Sequence, residues 1–423
     1  MDTIPLPPTL SLSITSKCSS RCRHCYLVEG NLLNKASLTA SQIFDVLDDA
    51  AAHGVFMVVL SGGDPVLHPH FSKILKAIES RSMLALPGIS GNVLDATHLA
   101  GLKDANVPCV QVSLDAALPD AHDRFRGAGH FDAIRRNVTK LREVGIHVNL
   151  AICVRRENRD QLLPLIGLAR DWGIYRIKIA FYEVFGAVAG AACLAPHERV
   201  ECIRDVASLA QHDDLPPSLI SIPGYDTATG APFRDTQRPT IPISISASGI
   251  VAVGDGGPVI GHLHDTRPVS QQYSEWKCGQ LEHQLDILIA QRGADFRVKS
   301  IIDVTTPLPG NALVFHEEEG ATIIANGNLP WALNRFAKLH ELGHLATQTL
   351  RPSPTQTPSN RTSERRANLW ALDQLRPWLT PSTLNDYAHA AADSEHAMYQ
   401  RVAQRLAHDL FVENLRTPFH PHK

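Results

Sequence analysis

At 423 residues the chain exceeds the size at which one hydrophobic core keeps growing, so two or three units are expected. Hydrophobic residues make up 44% and charged residues 20%, which excludes a disordered chain. A formal net charge of −3 gives no basic footprint, so nucleic acid is not an expected partner. No run of about 18 apolar residues is available to span a bilayer. The opening MDTIPLPPTLSLSITSKC lacks the basic start and apolar core of a signal peptide, so a cytoplasmic protein without membrane association is expected. Of the eight cysteines, three crowd into one short stretch and the others are scattered. That distribution suits metal ligation in a reducing compartment better than a disulfide framework.

Strand-like LSLSI (10–14) leads into the cysteine-rich loop. The helical pattern LTASQIFDVLDDAAAHG (38–54) follows, and then the strand VFMVVLSGG (55–63). HFSKILKAIESRS reads as a helix, MLALPGIS and CVQVSLD as strands, and AIRRNVTKLREVG as a helix. HVNLAICV and YRIKIAFY complete the series as strands. Repeated strand–helix units predict an α/β fold with a parallel sheet, its strand C-terminal loops open to chemistry. The stretch 213–243, rich in Pro, Thr and Gly, breaks the rhythm and reads as a connector, and PISISASGIVAVG after it is β-like. From about residue 280 the pattern turns to α+β, with a low-complexity loop at 351–363, and ends in helices. No solenoid repeat is present. GAVAGAA (186–192) and VGDGGP (253–258) lack the strand–Gly–helix context of nucleotide loops and carry no ligand in this reading. The histidines outside the motifs, His420 and His422 included, read as surface residues.

Cys18, Cys22 and Cys25 have the spacing C-x3-C-x2-C, followed at once by Tyr26. Three thiolates on one tight loop suit three irons of a four-iron cubane, leaving the fourth iron open to a chelating molecule. The competing readings are chance or a structural zinc site with His24 as fourth ligand. Cys109, Cys153, Cys193 and Cys202 fall in strand or helix patterns and are expected to be buried small hydrophobes, while Cys278 stands alone.

Over about residues 10–190 this pattern resembles the radical S-adenosylmethionine (SAM) superfamily. Ser61-Gly62-Gly63-Asp64-Pro65 at the end of the second strand is similar to that family's glycine motif, with Asp64 where Glu is commoner. Ser113-Leu114-Asp115, the run His122 to Gly127 (HDRFRG), and Asn158 resemble the branch that modifies peptides. The resemblance implies a [4Fe–4S] cluster on Cys18, Cys22 and Cys25. It also implies SAM bound by Tyr26, Gly62, Gly63, Asp64, Pro65, Ser113 and Asp115. The open iron would chelate SAM, and the reduced cluster would split it to a 5′-deoxyadenosyl radical that abstracts hydrogen from a C–H bond. An electron donor of flavodoxin or ferredoxin type is implied as a partner. PISISASGIVAVGDGGPVIGHLHD (242–265) resembles the start of a SPASM/twitch-like extension, but Val253 and Gly254 stand where a cysteine would be. One cluster is therefore expected, not several.

His340-Glu341-Leu342-Gly343-His344 lies in the periodic stretch PWALNRFAKLHELGHLA. Four residues is slightly more than one helical turn, so both imidazoles can grip one Zn²⁺, and Glu341 beside it can take a proton from the zinc-bound water. The bland alternative is coincidence on an amphipathic helix. GATIIANGNLPWALNRFAKLHELGHL together with Glu364-Arg365-Arg366-Ala367-Asn368-Leu369-Trp370-Ala371 resembles the ImmA/IrrE metallopeptidase family over about 285–415. That resemblance implies Glu364 as third zinc ligand, with Glu395 the runner-up, and Glu341 as the catalytic base. Arg366 departs from the family where a second acid is common.

The expected fold is α/β, a partial (β/α)6 TIM-like barrel followed by an α+β zincin-like metallopeptidase domain. The expected boundaries are 1–212 for the radical SAM domain, 213–279 for the linker and degenerate SPASM/twitch-like segment, and 280–423 for the peptidase domain. The expected function is radical C–H modification of a ribosomally made peptide and its proteolytic processing, with a peptide or protein as substrate. The alternative is a regulatory peptidase that cleaves a repressor-type protein and is gated by a SAM- or redox-sensing first domain. A binding-only protein finds no support in the residues, because both ligand sets are complete.

Overall fold

The computed structural model describes residues 5–182, 192–212, 219–223, 241–254, 257–306, 308, 311–317, 319–348, 358–393, 398, 400–406 and 409. Five features singled out in the sequence lie wholly or largely outside them: GAVAGAA, most of the 213–243 connector, most of the 351–363 loop, Glu395 and the terminal histidines. The chain divides into two compact units with main spans Pro5–Gln272 and Tyr273–Thr417. No helix among the described residues is long and apolar enough to cross a membrane.

In the first unit, strands and helices alternate as β1 (Thr9–Thr15), α1 (Tyr26–Glu29), α2 (Ala40–Ala52), β2 (Met57–Gly62), α3 (Phe71–Glu79), β3 (Leu84–Ile89) and α4 (Ala96–Asp104). The alternation continues through β4 (Cys109–Ser113), α5 (Pro119–Arg126), α6 (His130–Glu143), β5 (His147–Val154), α7 (Leu162–Asp171), β6 (Arg176–Phe181) and α8 (Pro196–His212). Local chemistry sets the helix starts. Thr39 and Gln42 form a reciprocal capping box at α2, and Asp95 and His98 do the same at α4. Each strand turns alternate residues toward the helices. Leu12, Ile14, Val58, Leu60, Val110 and Leu150 are fully buried there, each worth ~1.5–3 kcal/mol against exposure.

β1 to β6 lie side by side in chain order and pair in parallel, as right-handed strand–helix–strand crossovers require. The described strands form one ten-stranded sheet, which β7 (Ile220–Ser221) continues beyond β6. On the other side, β8 (Ile243–Ile245) pairs parallel to β1, and β9 (Ile250–Val253) and β10 (Val259–His262) add antiparallel. The open parallel sheet is that of a partial barrel, with its loops gathered at the C-terminal strand ends.

The sequence reading sets 213–279 apart. In the structure its described strands extend the main sheet, because Ile243 and Ile245 bury beside Leu10 and Leu12 of β1. The division between units falls at 272/273, inside α9 (Val269–Asp295). The cysteine expectation also needs correction. Only Cys202 is buried as expected, at 2% exposure, while Cys109, Cys153 and Cys193 are half-buried and Cys193 precedes α8 instead of lying in an element.

The second unit holds a three-stranded mixed sheet in the order β11 (Val298–Val304), β13 (Gly320–Asn326), β12 (Ala312–Glu317). Helices α10 (Trp331–Ala346), α11 (Pro358–Gln374) and α12 (Pro381–Asp393) follow. Small side chains let α10 lie close to this sheet: Ala312, Ala325 and Ala337 form one buried cluster. α10 is buried from Ala332 to His344 apart from Arg335, far more than the one stripe of a surface helix.

Candidate functional sites

Cys18 and Cys22 sit on the loop after β1, and Cys25 is the N-cap of α1. The loop is tightened by backbone bonds from Cys25 N–H to the Cys22 carbonyl at 3.1 Å and from Val28 N–H to the Cys25 carbonyl at 3.0 Å. Cys22 is 7% exposed, and the other two are half-buried. Burial pushes the Cys18 and Cys22 thiols up, and Arg126 opposes this at Cys22. Its Nη1 lies 3.9 Å from the Cys22 sulfur.

The end of β2 closes over this loop. Gly63 N–H donates to the Thr15 carbonyl and Asp64 N–H to the Lys17 carbonyl, each at 2.7 Å. A Cβ on Gly62 would meet the Thr15 oxygen at 2.1 Å, and one on Gly63 the Lys17 oxygen at 2.3 Å. Both glycines thus permit a close approach of chain to chain. Asp64 is fully buried, and burial pushes its carboxyl up. Ser90 Oγ donates to its Oδ2, while Oδ1 has no hydrogen-bond partner.

A second set of groups is organised by Asp115, just past β4. Arg126 Nε donates to its Oδ2 at 2.7 Å and the Cys153 N–H to its Oδ1 at 3.1 Å. The Asp115 N–H donates to His122 Nδ1 at 3.1 Å, and Asn158 Nδ2 to the Asp115 carbonyl at 2.8 Å. Burial raises the Asp115 carboxyl, but Arg126, His24 and Arg155 more than reverse that and hold it below the usual carboxylate range. Burial lowers His24 and His122 to about 4, so both are neutral at pH 7. Arg155 is 2% exposed, its guanidinium 4.0 Å above the Phe125 ring and bonded to His24 Nδ1. Arg126 and Arg155 had no role in the sequence reading. Arg126 was legible only as a member of HDRFRG, and Arg155 carried no signal.

In the second unit, His340, His344 and Glu364 converge with their ligand atoms within 4.8 Å of one another. Among the described residues this is the one such group of three. His340 Nε2 lies 3.0 Å from Glu364 Oε2 and 3.1 Å from His344 Nε2, and His344 Nε2 lies 3.3 Å from the same carboxylate oxygen. Burial raises the Glu364 carboxyl, yet the bonds from His340 and His344 carry it down to about 2. Burial lowers His340, but its bond to Glu364, the charges of Glu341 and Glu364 and the bond to Asn368 together outweigh that, so its net shift is upward. Glu341, 9% exposed, shares the helix. Asn368, one turn beyond Glu364, lies 2.8 Å from His340 Nδ1 through its Oδ1. It stood within the quoted motif, but its role needed the distance.

Residues 12–169 match the model of the radical SAM superfamily, so the chain carries a radical SAM domain. Fe-coproporphyrin III synthase of Methanosarcina barkeri is 27% identical over 185 residues, covering 44% of this chain and 46% of that protein. PqqA peptide cyclase of Ruegeria pomeroyi is 28% identical over 199 residues, 46% of this chain and 52% of that one. The chain thus spans about half the length of the curated relatives it matches. Streptococcus suis SuiB bound to S-adenosylmethionine superposes with a TM-score of 0.52 at 14% identity, over 64% of this chain and 66% of that one. That likeness is one of fold.

Proposed function

We propose that the first unit is a radical SAM enzyme that modifies a ribosomally made peptide, and that the second is a zinc metallopeptidase that processes the product. The observation that carries the two-activity reading is the convergence of His340, His344 and Glu364 in a chain that also holds the three-cysteine loop.

For the first unit, the donor chemistry fits the implied groups. Three thiols on one loop suit a [4Fe–4S] cluster with an open iron. The orphaned Asp64 Oδ1 beside them suits an ammonium group such as that of SAM. When bound and reduced by a flavodoxin- or ferredoxin-type donor, these groups supply SAM cleavage and a hydrogen-abstracting radical. Arg126 bridges Cys22 and Asp115 and fixes the loop against the strand ends. A peptide as substrate is supported by the likeness to PqqA peptide cyclase.

For the second unit, two imidazoles and a carboxylate match a catalytic Zn²⁺ donor set with one position left open. Zinc held there supplies the acidity that brings a water's pKa to about 7. Glu341 would take that proton at its carboxylate, while the Asn368 oxygen holds the His340 Nδ1–H and fixes its tautomer.

The test uses full-length protein, reconstituted anaerobically, and a small peptide encoded beside its gene. The wild type should cleave SAM, shift the mass of the peptide and shorten it. Glu341→Gln should accumulate modified, uncut peptide, with proteolysis slowed about 10²–10⁴-fold. Replacing Cys18, Cys22 and Cys25 together with Ala should abolish SAM cleavage. Unimpaired proteolysis by Glu341→Gln sinks the peptidase reading, and SAM cleavage by the triple variant sinks the cluster assignment. Proteolysis that answers to SAM with no modified product would favour the regulatory alternative.

A further inference from the structure

One face of the first unit's sheet carries charge that the cysteine loop does not use. Val112, Leu150, Ile177 and Ile179 are buried at 0–1% on the helix side. Strand alternation therefore turns Gln111, Ser113, Asn149, Ala151, Arg176 and Lys178 to the other face. The register lines them up in two rows. Gln111 pairs with Asn149 and Asn149 with Arg176; above them Ser113 pairs with Ala151 and Ala151 with Lys178. In a closed barrel such positions pack against one another. Here the β4 and β5 members are only half-buried, and Arg176 and Lys178 are exposed.

The rows hold two cations and no acid. Asp115, at their C-terminal end, is already matched by Arg126 at 2.7 Å. Lys178 has no hydrogen-bond or ion-pair partner among the described residues, and the buried Asn149 Oδ1 has none either. Arg176 and Lys178 stand two residues apart on β6, roughly 6.6 Å along the strand. Alternate side chains of an extended peptide have that same spacing, whereas a triphosphate concentrates its charge over a shorter span.

We propose that this face binds an extended substrate peptide through acidic side chains at alternate positions, held by Lys178 and Arg176 over β6. The choice of a peptide rests on the functional reading above; the cationic rows rest on geometry alone. The test uses the full chain and fluorescence anisotropy with two labelled probes, Gly-Glu-Gly-Glu-Gly-Tyr and the same peptide with Gln for Glu. The acidic probe should bind roughly a hundredfold tighter, about tenfold for each of the two charge pairs that the Gln probe cannot make. Lys178→Glu and, separately, Arg176→Gln should each cut that preference at least tenfold. Lys73→Glu, which changes an exposed lysine on α3, should leave it intact. Equal binding of the two probes, or a preference that Lys178→Glu leaves undiminished, overturns the proposal. So does inorganic triphosphate that displaces the acidic probe and itself binds more tightly, since the site would then read compact polyanions. Anisotropy needs no turnover. A wild-type protein unable to cleave SAM would therefore defeat the functional reading while the probe preference still decides this one.

Discussion

Asn368 and His122 act through single contacts that the sequence could spell but not connect. Asn368 stands four residues after Glu364 on α11, so both side chains reach α10 from one helix face. Replacing Asn368 with Ala should weaken zinc binding about 10–100-fold, the usual cost of losing the partner that orients a ligating imidazole. Asn368→Asp, which keeps an acceptor oxygen, should restore it. Competition against a chromogenic chelator reads both, and an unchanged Asn368→Ala would show that the bond orients nothing. His122 is buried and accepts from the Asp115 N–H, with its pKa lowered from 6.5 to about 4 by burial. Its folded value lies below its unfolded one, so the unfolded chain takes up the proton first. Stability is complete above pH 6.5 and falls as pH drops toward 4, by on the order of 3 kcal/mol for that span. His24 titrates in the same sense. Urea midpoints measured between pH 7 and 4 should therefore decline, and His122→Asn should flatten part of the slope. A slope unaltered in the variant would remove His122 from that account.

Strands and helices of the first unit were legible because their signals are local. Alternation in HVNLAICV gives β5, and Thr39 with Gln42 gives the start of α2. What was not legible depends on pairing at a distance. ISI at 243–245 is too short to announce that it joins β1, and strand cysteines look buried until one face of the sheet proves open. The glycine motif shows the same limit. The resemblance places Gly62 and Gly63 at SAM, but only the structure shows that a Cβ at either would first meet the Thr15 or Lys17 oxygen. Gly343 belongs to this class. It sits between the two histidines of α10, where a Cβ would meet the Ala367 oxygen of α11 at 2.6 Å. The helices carrying His344 and Glu364 can approach only because that side chain is absent. Gly343→Ala should push α11 outward, costing ~1–3 kcal/mol by overpacking despite the better helix propensity of Ala. Zinc stoichiometry should fall with it. A Gly343→Ala protein of undiminished stability and full zinc content would mean that α11 shifts freely.

At the scale of the whole molecule, each unit has its own core, and each candidate metal site is built wholly within one unit. The cysteine loop draws on β1, β2, β4 and α5, and the histidine site on α10 and α11. In the sequence the two motif sets stand about three hundred positions apart, and the two compact units divide at 272/273, between them. Zinc should therefore stabilise one unit and spare the other. A ligand that binds only the folded state adds RT ln(1 + [L]/Kd), about 2.7 kcal/mol at a hundredfold excess over Kd. In calorimetry of the full chain, zinc should raise the transition of the unit holding His340, and a chelator should lower it again. The Cys18, Cys22 and Cys25 triple variant should show the same zinc response, because none of its changes lies in that unit. His340→Ala should lose the response altogether. Glu341→Gln should keep it, since Glu341 is a base and not a ligand in this reading, even while proteolysis fails. Loss of the zinc shift in Glu341→Gln would make Glu341 part of the metal site and leave the peptidase without its proton acceptor.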